Sequence, residues 1–377
     1  MRGLRVRALD AIRFDALRYA FVYCRMRNAL STSKPPHFDW AALDARRPGP
    51  DVGAVADALR QRYALDGQLV HLASERDGVY RLDVRGAGAQ VVRVSSAAEP
   101  EASLLLQNEA LRTVARTDPA LPVPRIVASV TGLDVERIET PRGPYRVRVM
   151  SYLPGTPVLQ NPRSPAMLAS IGRTLARLDE ALRFVTAVDH SFPLLWDLRS
   201  APRLASFVEC IASASGRAAV EAVLAELDSS GLARLSRLPS QVIHNDFNPK
   251  NVLFDSDRGM HVVGIIDFGD IVHSARIVDL GVCLARHLEP ADCLAAPRHI
   301  IAGYCEVATI SEDELLMLPL VIRARLAMRA AIGSWRLRQG DSRGDRVQIE
   351  GALALLEIMA QIDPSEATDR WRPAARL

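Results

Sequence analysis

The sequence predicts an α+β protein of two lobes: a small, antiparallel, β-rich lobe with one main helix, then a larger, mostly helical lobe. Three observations carry this. Between residues 69 and 150, short apolar or alternating runs are separated by turn residues at strand spacing. After residue 160 the apolar positions recur at i, i+3 and i+4. A single strand pair, residues 252–266, interrupts the helical half.

Residues 1–45 form an Arg-rich, acid-poor extension. It reads either as a poorly ordered segment or as an amphipathic targeting helix with Leu9, Ile12, Ala16, Tyr19 and Tyr23 on one side. Pro35-Pro36 and Arg47-Pro48-Gly49-Pro50 punctuate its end. The small lobe spans 46–152. A helix over Val52 to Tyr63 is followed by strands at Leu69–Leu72, Val79–Val84 and Val91–Val94. Asp77-Gly78 and Gly86 to Gly88 supply the turns. A helix near Glu101–Ala115 comes next, then strands at Ile126–Val130 and Tyr145–Met150. Tyr152-Leu153-Pro154-Gly155 reads as a hinge into a second lobe, 153–377, with helices over Met167–Leu182, Ala218–Leu227 and Glu312–Ile332.

Composition narrows the class. Nearly half of the 377 residues are apolar and the net charge is only +3, which argues against a nucleic-acid footprint or a polybasic membrane surface. No apolar run reaches the roughly 18 residues of a membrane span. Five cysteines, Cys24, Cys210, Cys283, Cys293 and Cys305, are odd in number and form no CxxC pair, so reduced thiols in a cytosol are expected. Lysine is confined to Lys34 and Lys250, a bias that reads first as the coding habit of a GC-rich genome.

The chemistry lies between residues 244 and 270. His244-Asn245-Asp246 is followed five positions later by Asn251, and Asp267-Phe268-Gly269-Asp270 follows two apolar runs. Val252-Leu253-Phe254 reads as a strand, Ser256-Asp257-Arg258-Gly259 as a turn, and His261 to Ile266 as the return strand. Such a hairpin brings Asn251 and Asp267 side by side, where one cation can bind both. Kinase-type phosphoryl transfer needs these parts: an Asp near the attacking hydroxyl, and an Asn and a second Asp on magnesium.

These residues resemble the aminoglycoside phosphotransferase-like kinases, and more closely the hydroxylysine kinase branch, where His-Asn-Asp is usual and His-Gly-Asp marks most other members. His244 to Asn251 is similar to the catalytic loop, Asp267 to Ser274 to the metal loop, and Val278-Asp279-Leu280 to the element after it. The resemblance extends unevenly over about residues 50–340, through Ser74 to Asp77, Tyr152 to Pro157, Leu195 to Leu198, Gly303-Tyr304 and Arg325. It implies a bilobal protein-kinase-like fold with nucleotide between the lobes. By the same carry-over Asp246 is catalytic and Asn251 and Asp267 bind Mg2+. Ser74, Gly78, Ser151 and Leu153 stand as nucleotide contacts. His244 braces the loop by hydrogen bonds, and Asp279 is an acceptor for loop amides.

One position departs from the family. Its small-lobe strand normally carries a lysine that grips the phosphates, and Arg93 takes that place here. Arginine stays cationic and can fork to phosphate, but it is bulkier. Its helix partner is open between Gln107, favoured by register, and Glu109, favoured by charge. Asp197 and Asp270 are candidates for a substrate amine or for capping, and Arg325 for a substrate carboxylate or a solvated ion pair. Trp196 and Trp335 read first as core residues.

The expected activity is transfer of the γ-phosphoryl of ATP or GTP to a hydroxyl of an amino alcohol or hydroxy amino acid, with 5-hydroxylysine favoured. An aminoglycoside kinase and a non-catalytic nucleotide-binding module, suggested by Arg93, are the alternatives.

Overall fold

The computed structural model describes residues 49–72, 74, 78–84, 86, 88–96, 99–157, 164–186, 194–255 and 261–377. The extension 1–45 and the turn at 256–259 lie outside the described residues.

Asp51 starts the first helix, Val52–Tyr63, its carboxylate accepting from the Gly53 and Ala54 amides. The helix buries Val55, Ala58, Leu59 and Tyr63 against a six-stranded antiparallel sheet. Its strands are β1 (Gly67–Leu72), β2 (Gly78–Val84), β3 (Gly88–Ser96), β4 (Ile126–Val127), β5 (Glu136–Thr140) and β6 (Gly143–Ser151). They run in the order β1-β2-β3-β6, and both β4 and β5 pair with β6. Side chains alternate across a strand, so Val92 and Val94 of β3 and Val147 and Val149 of β6 enter the core under the first helix. Arg93 and Arg148 therefore point to the opposite face, and the register sets them directly across from each other. The lobe's main helix, Glu101–Thr117, offers Leu104, Gln107 and Asn108 to Arg148.

In this lobe two details differ from the sequence expectation. The strand expected over 126–130 ends at Val127, and β5 was not anticipated. In β5 only Ile138 is a buried apolar residue, Glu136 being the other inward position, so no hydrophobic alternation advertises it.

After Gly155 the chain forms β7 (Thr156–Pro157), which pairs with β9 (Val252–Phe254); β9 in turn pairs with β10 (Val262–Ile265). The expected catalytic hairpin is thus present, and the strand after the hinge joins it. A separate pair, β8 (Ser240–Ile243) with β11 (Val272–Ala275), leads into and out of the loops around it.

The remaining large-lobe elements are helical. Helices Pro165–Leu182 and Ala295–Tyr304 cross so closely that a Cβ at Gly172 would meet the Ile300 carbonyl at 1.9 Å. The helix Glu312–Arg338 opens with a reciprocal capping box between Ser311 and Glu314 and is mostly buried along its 27 residues. Helices Arg346–Gln361 and Pro364–Ala375 complete the lobe. Among the described residues, no helix is long and apolar enough to cross a membrane.

Candidate active site

Asn245 and Asp267 adopt left-handed backbone conformations, φ 61° and 62°, which non-glycine residues take only where their surroundings compel them. For Asn245 the compelling group is Asp279, at the start of helix Ile277–Leu284. Its carboxylate accepts from the His244 amide at 2.7 Å and from the Asn245 amide at 2.8 Å. The Asn245 side chain adds bonds to the carbonyls of Trp196 and Asp270.

His244 is fully buried, and its tautomer follows from its neighbours. Nδ1 accepts from the Asp246 amide at 3.2 Å, so the proton sits on Nε2 and is donated to the Ile266 carbonyl at 3.2 Å. The ring also packs edge-on against Phe268. It holds together the loop ending in Asp246 and the one carrying Asp267.

Asp246 is the chemical centre of this arrangement. One carboxylate oxygen accepts from Asn251 Nδ2 at 2.7 Å, and the other faces Arg325 at 3.3 Å. Burial, followed by the nearby Asp270 charge, raises its pKa to about 6, while Arg325 pulls the other way. Arg325 itself is committed to the frame. It also donates to the carbonyls of Trp196 (2.9 Å) and Asn245 (3.2 Å), and it lies over the Trp196 ring at 4.7 Å.

The Ile266 amide donates to the Asn251 carbonyl, fixing Asn251 beside the turn that carries Asp267. The Asp267 carboxylate, half-exposed, accepts from Arg93 Nη1 at 3.1 Å. These residues suit a hard divalent cation. With its Nδ2 turned to Asp246, Asn251 keeps its amide oxygen as a donor, and Asp267 presents a carboxylate. Two protein oxygens plus waters and phosphate is the usual magnesium set. Among the described residues no cluster of three or more His, Cys, Asp or Glu forms a closed metal cage.

Behind the loop lies a second acidic pair. Asp179 and Asp279 are both fully buried, and Asp179 accepts from the Tyr304 hydroxyl at 2.7 Å. Burial and the Asp279 charge drive the Asp179 pKa well up. Asp279 already accepts two backbone amides, so the shared proton belongs on Asp179.

Of the residues selected from sequence, Ser74, Arg93, Gln107, Asp246, Asn251, Asp267, Asp270 and Arg325 line one cleft of about 740 Å³. The other five are not in that lining. Asp197 caps the turn at Arg199 and forks with its guanidinium. Glu109 accepts from Thr113, and Ser151 Oγ from the Arg125 amide. Gly78 begins β2 beside the Tyr80 ring, and Leu153 is half-buried near the hinge. Gln107 gives its carbonyl oxygen to Arg148 at 2.8 Å, so the arginine it serves in this structure is Arg148. Sequence reasoning missed Arg286, Arg329, Arg336 and Arg343, which also line the cleft. Trp196 lines it too, against the core role expected for it.

A family model described as the phosphotransferase enzyme family matches residues 68–316. The chain belongs to that family. The hydroxylysine kinase of Mus musculus is 27% identical over 202 residues, covering 51% of this chain and 54% of that protein. The homoserine kinase of Bradyrhizobium sp. (strain ORS 278) is 33% identical over 174 residues, covering 43% and 50%. The match thus spans about half the length of these curated relatives. Among solved structures, an amicoumacin kinase in complex with AMP-PNP and Ca2+ superposes with a TM-score of 0.64 at 18% identity, covering 85% of this chain and 94% of its own. The family member therefore has the bilobal, protein-kinase-like fold.

Proposed function

We propose that this chain is a small-molecule kinase that moves the γ-phosphoryl group of ATP or GTP to the hydroxyl of a hydroxy amino acid or amino alcohol, 5-hydroxylysine favoured. The carrying observation is that Asp246, Asn251, Asp267 and Arg93 meet in one cleft, with Asp246 held by Asn251 on one side and Arg325 on the other.

In this reading the acceptor hydroxyl binds against Asp246. As its oxygen forms the new bond to the γ-phosphorus, the bond to the bridging β–γ oxygen breaks and its electron pair leaves with the nucleoside diphosphate. The hydroxyl proton passes to the Asp246 carboxylate, a contribution of roughly 10²–10⁴ in rate. Asn251 and Asp267 would hold Mg2+, which screens the phosphate charge. Arg93 reaches the same space from β3 and can fork to phosphate oxygens. The names of the relatives support hydroxy amino acids as acceptors.

The electrostatics of the cleft argue against a polycationic antibiotic acceptor. Its large-lobe wall carries Arg286, Arg325, Arg329 and Arg336 beside Asp246, Asp270 and Asp345, so it is not the predominantly acidic lining that such a ligand would favour. A non-catalytic module is disfavoured because Asp246, Asn251 and Asp267 converge on the same cleft.

The test is a screen of hydroxyl acceptors with MgATP and with MgGTP, following phosphorylated product by mass. Transfer to a hydroxy amino acid, lost in Asp246→Asn while the nucleotide still raises the melting temperature, is expected. Stabilisation by nucleotide without transfer to any acceptor would leave a binding module only.

A further inference from the structure

Arg325 and Arg329 lie one turn apart on the helix Glu312–Arg338, and both reach the cleft that contains Asp246. Their circumstances differ. Arg325 spends its donors on two carbonyls and on Asp246. The hydrogen bond of Arg329 goes to the neutral amide oxygen of Gln348, at 3.4 Å. Arg286, from the segment after helix Ile277–Leu284, lines the same wall. Burial, then the charges of Arg286 and Arg325, push the Arg329 pKa down to about 9. This part-exposed guanidinium stands beside two like charges; Asp246 acts on it only as a nearby charge, and its hydrogen bond goes to a neutral amide rather than to a carboxylate. An anionic group on a ligand in the cleft would give it a directly hydrogen-bonded anionic partner.

We propose that Arg329, with Arg286 beside it, forms an anion subsite that takes the carboxylate of the acceptor, so that the chain selects hydroxy acids over simple amino alcohols. The proposal rests on the kinase reading above and narrows its substrate class. The spacing is suitable: one helical turn between the arginine that frames Asp246 and Arg329 is a rise of ~6 Å. That is within reach of a short amino acid with its hydroxyl at one end and its carboxylate at the other. Trp196, flat under Arg325 and 5.7 Å from the Arg336 guanidinium, closes the wall between them.

The experiment compares matched acceptors on the full chain: homoserine against 3-aminopropanol, and 5-hydroxylysine against its decarboxylated counterpart. Wild type should prefer each acid in kcat/KM by roughly 10- to 100-fold, the worth of a charge-assisted hydrogen bond. In Arg329→Gln that preference should collapse toward parity, mainly through KM for the acid. Arg329→Lys, which keeps the charge, should retain most of it. Binding is read separately, as the thermal shift each compound produces with AMP-PNP and Mg2+ present, and the nucleotide's own shift checks that the variants fold. Equal kcat/KM for acid and counterpart in wild type, or an undiminished preference in Arg329→Gln, overturns the subsite while leaving the kinase reading intact. Acid-selective binding that depends on Arg329, with no transfer to any acceptor, upholds the subsite and defeats the kinase reading.

Discussion

Arg93 of β3 stands directly opposite Arg148 of β6, yet the two guanidiniums serve different partners. Arg93 turns into the cleft to Asp267, while Arg148 is clasped by Gln107 and Asn108 of the main small-lobe helix. Two like charges side by side on a sheet repel. Their divergence keeps one in the framework and turns the other toward the cleft.

Gln107→Ala should therefore act first on stability. It removes one acceptor of a buried guanidinium, at a cost of about 1–3 kcal/mol, measurable by urea unfolding. A large rise in nucleotide KM with unchanged stability would instead tie Gln107 to Arg93.

Asp246 with a pKa raised to about 6 predicts two pH effects. A proton acceptor must be ionised, so kcat/KM should fall as pH drops below about 6. Stability runs in the opposite sense. Because the folded pKa lies above the unfolded one, this group's contribution is fully present below the unfolded value and is lost as pH rises through about 6. Melting temperatures of wild type and Asp246→Asn between pH 4 and 8 should show a shallower decline in the variant.

The Asp179–Asp279 pair predicts unequal substitutions. An asparagine at 179 donates to Asp279 and accepts from Tyr304 as the protonated acid does, so Asp179→Asn should keep the melting temperature within a few degrees. Asp279→Ala strips the acceptor from two buried amides, a loss of roughly 2–6 kcal/mol. Comparable unfolding curves for the two variants would rule out a proton resident on Asp179.

Asp267→Asn replaces a charged oxygen proposed for magnesium by a neutral one and removes the carboxylate that meets Arg93. The Mg2+ concentration needed for half-maximal activity should rise at least tenfold, with metal-free nucleotide affinity changing far less. A magnesium titration of initial rates checks this; an unaltered requirement would remove Asp267 from the metal set.

What could be read in advance was whatever is local in the chain. Asp246 and Asn251 lie five residues apart, and a short hairpin returns Asp267 to them, so spacing and turn chemistry suffice. The apolar run Val91–Val94 likewise announced a strand. The arginine-lined wall of the cleft was not legible. Arg286 and Arg329 come from distant segments, and arginines on a helix rich in them look like a solvated face until tertiary packing turns that face inward. Asp197 takes the capping alternative: it accepts from both the amide and the guanidinium of Arg199, two residues away. The C-terminal helices Arg346–Gln361 and Pro364–Ala375 also escaped notice, and the first of them supplies the Gln348 amide that meets Arg329.

The pairing of Thr156 and Pro157 with Phe254 and Leu253 has a mechanical consequence. The segment leaving the small lobe is stitched to the strand that begins at the residue after Asn251. A swing of the sheet about residues 152–155 would therefore tug on the loop that carries Asp246 and Asn251, gearing movement of the small lobe to the alignment of the cleft.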